Sequence, residues 1–238
     1  MPLSRDTTSL LDGPRLPPRH GGKPDSLVVL LHGYGADGRD LIDLGEMWGN
    51  ALPGAAFVSP HAPDPCSEAP IGRQWFPLHA LDPHELARGV DGAAPVLARF
   101  LEVELARHDL PADRLALVGF SQGGMMALQM GLHSPTPPAG IIAYSSLWCG
   151  VAHPPPAPFE APPPVLLVHG GQDEVIPSEA LFASAHALTS AGVPVEWHLS
   201  PDLPHGIDTD GIARGGTFLA HCLGQETALK QQDKKPAR

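Results

Sequence analysis

Three polar side chains that are far apart in the chain have the types needed for nucleophilic catalysis: a serine, an acid and a histidine. Ser121 lies in Gly119-Phe120-Ser121-Gln122-Gly123, a G-x-S-x-G pattern. A serine hydroxyl is a weak nucleophile and needs a base within hydrogen-bond reach, which a third group orients. Where a strand, a sharp turn and a helix carry the serine, the chain order is serine, acid, histidine. The candidate chemistry is attack of a serine oxygen on an acyl carbon.

The residues around Ser121 predict the strand–turn–helix context that exposes such a serine. Leu115–Val118 is an apolar run typical of a buried strand, and residues 125–130 are typical of a buried helix. Glycine at 119 and 123 leaves room for a tight, strained turn, because a side chain there would collide with the neighbouring strand or helix. A G-x-S-x-G pattern alone also occurs in unrelated loops, so the flanking elements are what favour a nucleophile elbow.

The acid is expected to follow a later strand. Asp173 comes just after Val165–Val168, a predicted strand, in the turn formed by residues 170–174. A turn aspartate commonly bonds only its own backbone, which is the competing interpretation. Glu174 and Asp202 are the alternative acids.

The base is expected in a loop after the last strand, free to bend toward the elbow. His205 lies in such a loop, within Leu203-Pro204-His205-Gly206-Ile207. His198 falls inside a predicted strand and His221 late in a predicted helix. Neither of those positions points readily at the elbow, so His205 is the favoured base among the 13 histidines.

Two fixed hydrogen-bond donors must stabilise the oxyanion of a tetrahedral intermediate. The backbone N–H of Gln122, directly after the nucleophile, is the first. The second should come from an early strand–helix loop, and the N–H of Tyr34 after the apolar strand Ser26–Leu31 is the candidate. Apolar side chains on loops near the predicted strand ends are candidates for the substrate pocket, although ordinary loop packing explains them nearly as well: Trp75, Phe76, Leu147, Trp148 and Ile176.

Strands alternate with helices over most of the length. This pattern predicts an α/β fold with a mostly parallel sheet, helices on both faces and a site at the carboxyl ends of the strands. Residues 146–164 separate the strand after the elbow helix from the next one and contain seven prolines, so no helical lid and no substantial cap domain are expected. Residues 1–224 are predicted to form one domain, followed by a polar tail at 225–238.

The composition indicates which classes of binding partner and which cellular compartment to expect. The formal net charge of -11 disfavours binding to nucleic acid or to anionic membranes. No apolar run approaches the ~20 residues that span a bilayer, and residues 1–23 lack the apolar region of a signal peptide. Three cysteines without a C-x-x-C favour a reducing compartment. We therefore expect a cytoplasmic protein without stable membrane anchoring, whose partner is a small molecule; a homodimer is left open.

Taken together, the motifs resemble the phospholipase/carboxylesterase branch of the α/β-hydrolases, which includes acyl-protein thioesterases. LLHGYGADG, the Trp75-Phe76 pair, GFSQGG, HGGQD and PHGI occur in this order between Leu27 and Leu223. The resemblance implies hydrolysis of carboxylic esters or thioesters without a cofactor or metal, with the triad Ser121, Asp173 and His205 and with oxyanion donors at Tyr34 and Gln122.

Two features depart from that branch. Tyr34 stands where acyl-protein thioesterases carry leucine, and the proline-rich segment 152–164 has no counterpart in the pattern. The sequence thus favours a carboxylesterase that acts on short- to medium-chain soluble esters through an acyl-enzyme. Acyl-protein thioesterase or lysophospholipase activity is the alternative.

Three further functional classes have weaker support from the sequence. Gly33-x-Gly35-x-x-Gly38 follows a strand and precedes a helix predicted from Arg39, which is the form of a dinucleotide-binding fingerprint, but the second strand ends at Val58 without the expected acidic residue. A non-catalytic binding protein would be expected to lack a member of the triad. A metal hydrolase would need ligand spacing such as H-E-x-x-H, which the sequence lacks.

Overall fold

Nine strands, five α-helices and a 3-10 turn at Ala112–Arg114 follow one another along the part of the chain that the computed structural model describes, residues 11–79, 81–150 and 161–225. In chain order they are β1 (Arg15–Leu16), β2 (Ser26–Leu31), α1 (Asp43–Trp48), β3 (Ala55–Val58), β4 (Asp64–Pro65), β5 (Arg73–Gln74), α2 (Pro83–His108), β6 (Leu115–Phe120), α3 (Gln122–His133), β7 (Gly140–Tyr144), β8 (Val165–Gly170), α4 (Glu179–Ser190), β9 (Val195–Ser200) and α5 (Thr209–Cys222).

Seven strands form one sheet in the order β1-β3-β2-β6-β7-β8-β9. Only β1 is antiparallel to its neighbour, and every other adjacent pair is parallel. Because parallel strands point the same way, the loops after β2, β6, β7, β8 and β9 all leave from one edge of the sheet. This confirms the predicted fold class and gathers the candidate catalytic segments at one edge.

Helices cover both faces of the sheet. Val29 and Leu31 of β2 face the core formed with α2, α3 and α4, whereas Val28 and Leu30 face the core formed with α1 and α5. Every residue of β2 is buried. Burial on both sides explains why this strand is a continuous apolar run instead of an alternation of polar and apolar residues.

The first helix is shorter than its pattern predicts. Residues 39–42 form turns, and α1 begins only at Asp43. Gly38 is packed against Ser59, where any side chain would overlap the Ser59 carbonyl oxygen. The Gly33–Gly38 loop therefore does not lead directly into a helix N-terminus, which is the feature that a dinucleotide-binding loop uses to hold phosphate.

The predicted proline-rich segment lies largely outside the described residues, since positions 151–160 are not among them. The described residues between β7 and β8 contain no helix, in agreement with the absence of a substantial cap. The predicted tail lies outside the described residues beyond Gln225. Within the described residues, no helix has the length and apolar character needed to cross a membrane.

Candidate active site

Ser121 forms the sharp turn between β6 and α3. Its backbone has φ 52° and ψ −119°, a region that residues with a side chain rarely adopt. Hydrogen bonds on both sides hold it there: its N–H donates to the Tyr144 carbonyl at 2.9 Å, and its carbonyl accepts from Gly124 N–H at 2.9 Å and from Ser146 Oγ at 2.7 Å. The turn is thus held by the surrounding backbone.

The two glycines of the motif are required by backbone packing. A Cβ on Gly119 would overlap the Gly123 carbonyl, and a Cβ on Gly123 would overlap the carbonyl of Leu31 in β2. These obstacles are backbone atoms of a central strand and of the helix start, so they cannot rotate away as a side chain could. The motif therefore marks the place where the elbow is pressed directly against the sheet.

Asp173 and His205 meet at the carboxyl end of β8. His205 Nδ1 lies 2.7 Å from Asp173 Oδ2. The other carboxylate oxygen, Oδ1, accepts N–H bonds from Val175 at 2.9 Å and Ile176 at 2.8 Å. Burial acts to raise the pKa of Asp173, but the His205 and backbone hydrogen bonds lower it more, so its pKa lies below the usual value. The carboxylate is ionised and fixed at both oxygens.

His205 is also brought beside the elbow. Its imidazole packs on the ring of Phe120, the residue before Ser121, with ring centroids 4.8 Å apart. The carbonyl of Gly206 accepts a hydrogen bond from Ser145 Oγ at 3.0 Å, which ties this loop to the end of β7. Since Asp173 holds Nδ1, Nε2 is the ring nitrogen left to take a proton from a nucleophile.

The alternative acids and bases lie elsewhere. Glu174 and Asp202 are exposed. His198 belongs to β9 and pairs with Asp210 at 2.9 Å, and His221 lies exposed on α5.

The predicted oxyanion loop lies against the nucleophile. A Cβ on Gly33 would lie 3.3 Å from the Cβ of Ser121. Among the described residues, the backbone N–H groups of Tyr34 and Gln122 have no acceptor, so both are available to a substrate oxygen. The neighbouring Cys66 thiol raises the pKa of the Tyr34 phenol. The backbone N–H of Tyr34, and not the phenol, is the group that the loop offers to the site.

His32 is a buried member of this loop that the sequence analysis did not single out. Its Nδ1 donates to the Gly33 carbonyl at 2.8 Å, and its Nε2 accepts the N–H of Ala62 at 3.0 Å. Both nitrogens are satisfied only in the neutral ring, and burial lowers the pKa of His32 to about 4. In the sequence, the only signal for His32 is that it is the first polar residue after an apolar strand.

The side chain of Gln122 connects the elbow to the Trp75-Phe76 pair. Its Oε1 accepts from Trp75 N at 2.9 Å and its Nε2 donates to the Phe76 carbonyl at 2.8 Å. The Trp75 indole N–H in turn donates to the His32 carbonyl at 2.9 Å. Trp75 and Phe76 are fully buried in the core. The structure therefore places this pair as the support of the elbow and the oxyanion loop.

An apolar cavity of about 200 Å³ opens beside the other predicted pocket residues. Leu147 and Trp148 form part of its wall, and Trp148 is positioned by a 2.9 Å hydrogen bond from its N–H to Ser184 Oγ. Ile176 is buried but is absent from this wall, and its N–H holds Asp173. The remaining lining comes from the start of α2, from α4 and from the loop after β7: Leu81, Pro83, Leu86, Cys149, Ala180, Ala183, Ser184 and Ala187.

His169, at the end of β8, is a second histidine beside Asp173 that the sequence analysis passed over, although it opens the HGGQD motif. Its Nε2 lies 2.8 Å from the Ile176 carbonyl and 3.3 Å from Asp173 Oδ2. Both neighbours are acceptors, so Nε2 carries the proton. Among the described residues its buried Nδ1 has no partner. A buried ring nitrogen without a hydrogen-bond partner costs free energy. This cost indicates that the Nε2–H of His169 has a role at this position.

A strained serine between a strand and a helix, followed by an acid and a histidine at later strand ends of a parallel sheet, defines an α/β-hydrolase. The family model described as Phospholipase/Carboxylesterase matches residues 19–223. The chain belongs to this family.

Individual relatives agree. The chain is 30% identical to Esterase YpfH of Escherichia coli strain K12 over 76% of each chain. It is 31% identical to Acyl-protein thioesterase 1 of Neurospora crassa, over 86% of this chain and 90% of the relative. Among solved structures, esterase PE8 superposes with a TM-score of 0.85 at 41% identity, covering 90% of this chain and all of the other. The protein is thus a carboxylic ester hydrolase, as the sequence predicted, and the dinucleotide-binding alternative is set aside.

Proposed function

We propose that this carboxylesterase is a serine hydrolase with the triad Ser121, His205 and Asp173, and that it favours soluble short- to medium-chain esters. The observation that carries the proposal is the 2.7 Å contact between His205 Nδ1 and an ionised Asp173, with the imidazole packed against the residue next to the strained Ser121. This arrangement supplies a nucleophile, a base and the group that orients the base.

In the proposed cycle, Ser121 Oγ attacks the acyl carbon while His205 Nε2 takes its proton. Asp173 keeps the imidazole in the correct tautomer and stabilises the imidazolium that forms. His205 then protonates the departing alkoxide or thiolate, which leaves an acyl-enzyme on Ser121. Water repeats the sequence and releases the acid.

The oxyanion that forms in each half of this cycle needs two donors already in place. The free backbone N–H groups of Tyr34 and Gln122 fit this role, because Gly33 brings the first loop against Ser121 and the second donor is the next residue after Ser121. Loss of one such donor typically costs about 10²–10³ in turnover. Since the donor is the backbone, we expect Tyr34→Phe to keep most of the activity.

The apolar cavity supports the preference for shorter acyl chains. Its wall begins at Leu147, one residue beyond Ser146, whose hydroxyl holds the Ser121 carbonyl. At about 200 Å³ it lies below the ~300–1,000 Å³ of typical ligand pockets. We propose that the acyl chain enters this cavity and that longer chains outgrow it.

The proposed substrates are soluble. The net charge of -11 opposes docking on anionic lipid, so we propose action on dissolved esters in the cytoplasm. The three free thiols, Cys66, Cys149 and Cys222, fit a reducing compartment. Thioester hydrolysis is the second candidate, because several relatives are named acyl-protein thioesterase.

Covalent labelling tests the nucleophile. A fluorophosphonate should add one label, on Ser121, and Ser121→Ala should abolish labelling and lower turnover by about 10⁶ while the protein stays folded. Ser190→Ala, at the exposed end of α4, is the matched control and should label normally. Labelling of Ser121→Ala would contradict the assignment of Ser121 as the nucleophile.

A chain-length series tests the substrate. Rates with dissolved p-nitrophenyl esters should follow ordinary saturation and fall for long acyl chains, and widening the cavity with Leu147→Ala should move the optimum toward longer chains. A jump in rate where the substrate forms micelles would contradict the proposal. Matched oxygen esters and thioesters of one acyl group, measured side by side, decide between the two candidate activities.

A further inference from the structure

β9 is the last strand of the sheet and has an open side. It pairs with β8, and no other strand among the described residues pairs with it. An edge strand presents unpaired backbone donors and acceptors, and proteins that stay monomeric usually blunt such an edge with lysine, proline or a covering segment.

The backbone groups that face outward on β9 can be assigned. The carbonyls of Pro194 and Ser200 accept hydrogen bonds from Val165 and Gly171 on the β8 side. Because successive residues of a strand point their N–H and C=O groups to alternate sides, residues 196 and 198 also face β8. Val195, Trp197 and Leu199 therefore direct their N–H and C=O groups away from the sheet.

Two exposed aromatic residues lie at this edge. Trp197 is 54% exposed and Phe182 of α4 is 45% exposed, and their rings meet edge to face with centroids 5.4 Å apart. Such an aromatic pair beside free backbone groups provides both the apolar contact and the hydrogen bonds that a strand partner needs.

The charged side chains of β9 favour one register for the pairing of two β9 strands over the other. If a second β9 lies antiparallel across a two-fold axis at Trp197, Val195 faces Leu199 of the partner subunit in a hydrogen-bonded pair. Glu196 then lies opposite the partner's His198, whose Nε2 is held by Asp210 of its own chain, so only its Nδ1 is left for Glu196. This juxtaposition occurs twice and brings no like charges together. A shift of the axis to residue 196 would place Glu196 opposite its own copy, which like-charge repulsion disfavours.

We propose that two copies of this chain associate through their β9 edges, with the two-fold axis at Trp197, and so continue the sheet from one protomer into the other. The same register satisfies the outward backbone groups and places the two Trp197 side chains next to each other on one face. On the other face it places Glu196 opposite the partner's His198. An isologous pairing of this kind closes on itself as a dimer.

Sedimentation velocity of the full chain tests the association. The wild-type protein should form dimers, and Trp197→Lys should raise the dissociation constant at least about 30-fold, the effect of losing one interface hot spot. Its kcat/KM per subunit should stay unchanged, because each active site is built within one chain. Ile71→Lys, which makes the same apolar-to-charged change at a side chain that is 91% exposed in a different region, should sediment as wild type.

Cysteine cross-linking tests the register in a Cys222→Ser background. Residues 196 and 198 would form a pair with Cα atoms ~4.5 Å apart, within disulfide range. A mixture of differently tagged Glu196→Cys and His198→Cys chains should therefore give a heterodimeric disulfide on mild oxidation, whereas neither variant should cross-link to itself.

Three results would overturn the association, and a fourth would overturn its register. The first is a wild-type chain that stays monomeric at concentrations where homodimers of this kind assemble, and the second is a dimer that Trp197→Lys leaves intact. The third is a monomer that dimerises only after removal of residues 226–238, which would show that the tail occupies the edge. Self-cross-linking of Glu196→Cys would reject the register.

Discussion

The two halves of the candidate site are held in place by different kinds of contact. The nucleophile half, residues 32–35, 75–76 and 119–123, is held by backbone atoms pressed together and by buried hydrogen bonds in the core. The base half, residues 169–176 and 205–206, depends on the carboxylate of Asp173, and the His205 side chain is 19% exposed.

This difference predicts how each half fails. A change in the glycines or the buried hydrogen-bonding groups of the nucleophile half disturbs the packing between β2, β6 and α3, so it should reduce stability and activity together. A change in the base half removes a hydrogen bond between two loops at the carboxyl end of the sheet, so it should reduce activity much more than stability. Each of the following experiments separates the two outcomes.

In the base half, the largest effect on activity is expected from Asp173→Asn. An amide of the same shape cannot stabilise the imidazolium and favours the wrong tautomer of His205, so kcat should fall by about 10⁴. The protein should stay folded with a moderately lower melting temperature, because the buried NH2 group of asparagine would face the His169 N–H that the carboxylate accepts. Steady-state kinetics with a p-nitrophenyl ester and a thermal melt measure both.

Two neighbouring acids provide matched controls for this experiment. Glu174→Gln and Asp202→Asn make the same chemical change at exposed positions and should keep nearly full activity. If the loss of activity at either position equals the loss in Asp173→Asn, the acid of the proposed triad would have to be assigned to that position instead.

In the nucleophile half, Gly123→Ala should act on the fold itself. The new methyl group would overlap the Leu31 carbonyl, and the central strand cannot yield, so we expect a loss of about 3 kcal/mol or more in the free energy of unfolding. Activity should fall with it. Urea denaturation followed by fluorescence measures the change.

Gly92→Ala is the control for that substitution. Gly92 lies inside α2, where an added Cβ meets nothing within 4 Å, so alanine should raise stability by about 0.5–1 kcal/mol through helix propensity. Stability of Gly123→Ala equal to wild type would show that the elbow is not pressed against β2 as described.

The nucleophile half should also respond to acid through His32. Its pKa in the folded chain, about 4, lies below the ordinary value of 6.5, so the unfolded chain binds more protons between these values. The free energy of unfolding should therefore fall as the pH is lowered from 6.5 to 4, by about 3 kcal/mol from this group. Denaturation at several pH values should show that the free energy of unfolding falls less steeply with decreasing pH in His32→Gln than in the wild-type chain. Identical pH dependences of the two proteins would argue against a neutral His32 in the folded chain.

The smallest effect on activity is expected from His169, which we expect to act on the reaction through its contact with Asp173. His169→Phe removes the Nε2–H that contacts the Ile176 carbonyl and Asp173, so kcat should fall about tenfold with little change in KM. Stability should change little, because removal of the unpartnered Nδ1 offsets the loss of the hydrogen bond to the Ile176 carbonyl. His169→Gln, which restores a donor, should recover much of the activity. A purely structural role would instead lower the melting temperature in parallel with kcat.

The elements that carry the site were predictable because each has a local signal. The glycines around Ser121 are spaced by the steric demands of one turn, and the strands before and after it are continuous apolar runs because both their faces are buried. The supporting contacts had no such signal. The hydrogen bonds of Gln122 to Trp75 and Phe76 join residues that are far apart in the chain. The sequence left open whether these aromatic residues line the pocket or only pack, and the structure buries both of them in the core.

By itself, the sequence determined the family, the alternating α/β fold and the chain order of a serine, an acid and a histidine, because these depend on residue types at short spacing and on apolar periodicity. Tertiary structure alone decided that Asp173, and not Glu174 or Asp202, meets His205. It also decided that His32 is held neutral and that β9 forms an open edge. These outcomes depend on which distant segments the sheet order β1-β3-β2-β6-β7-β8-β9 brings together, and no local pattern encodes the distance between strand ends.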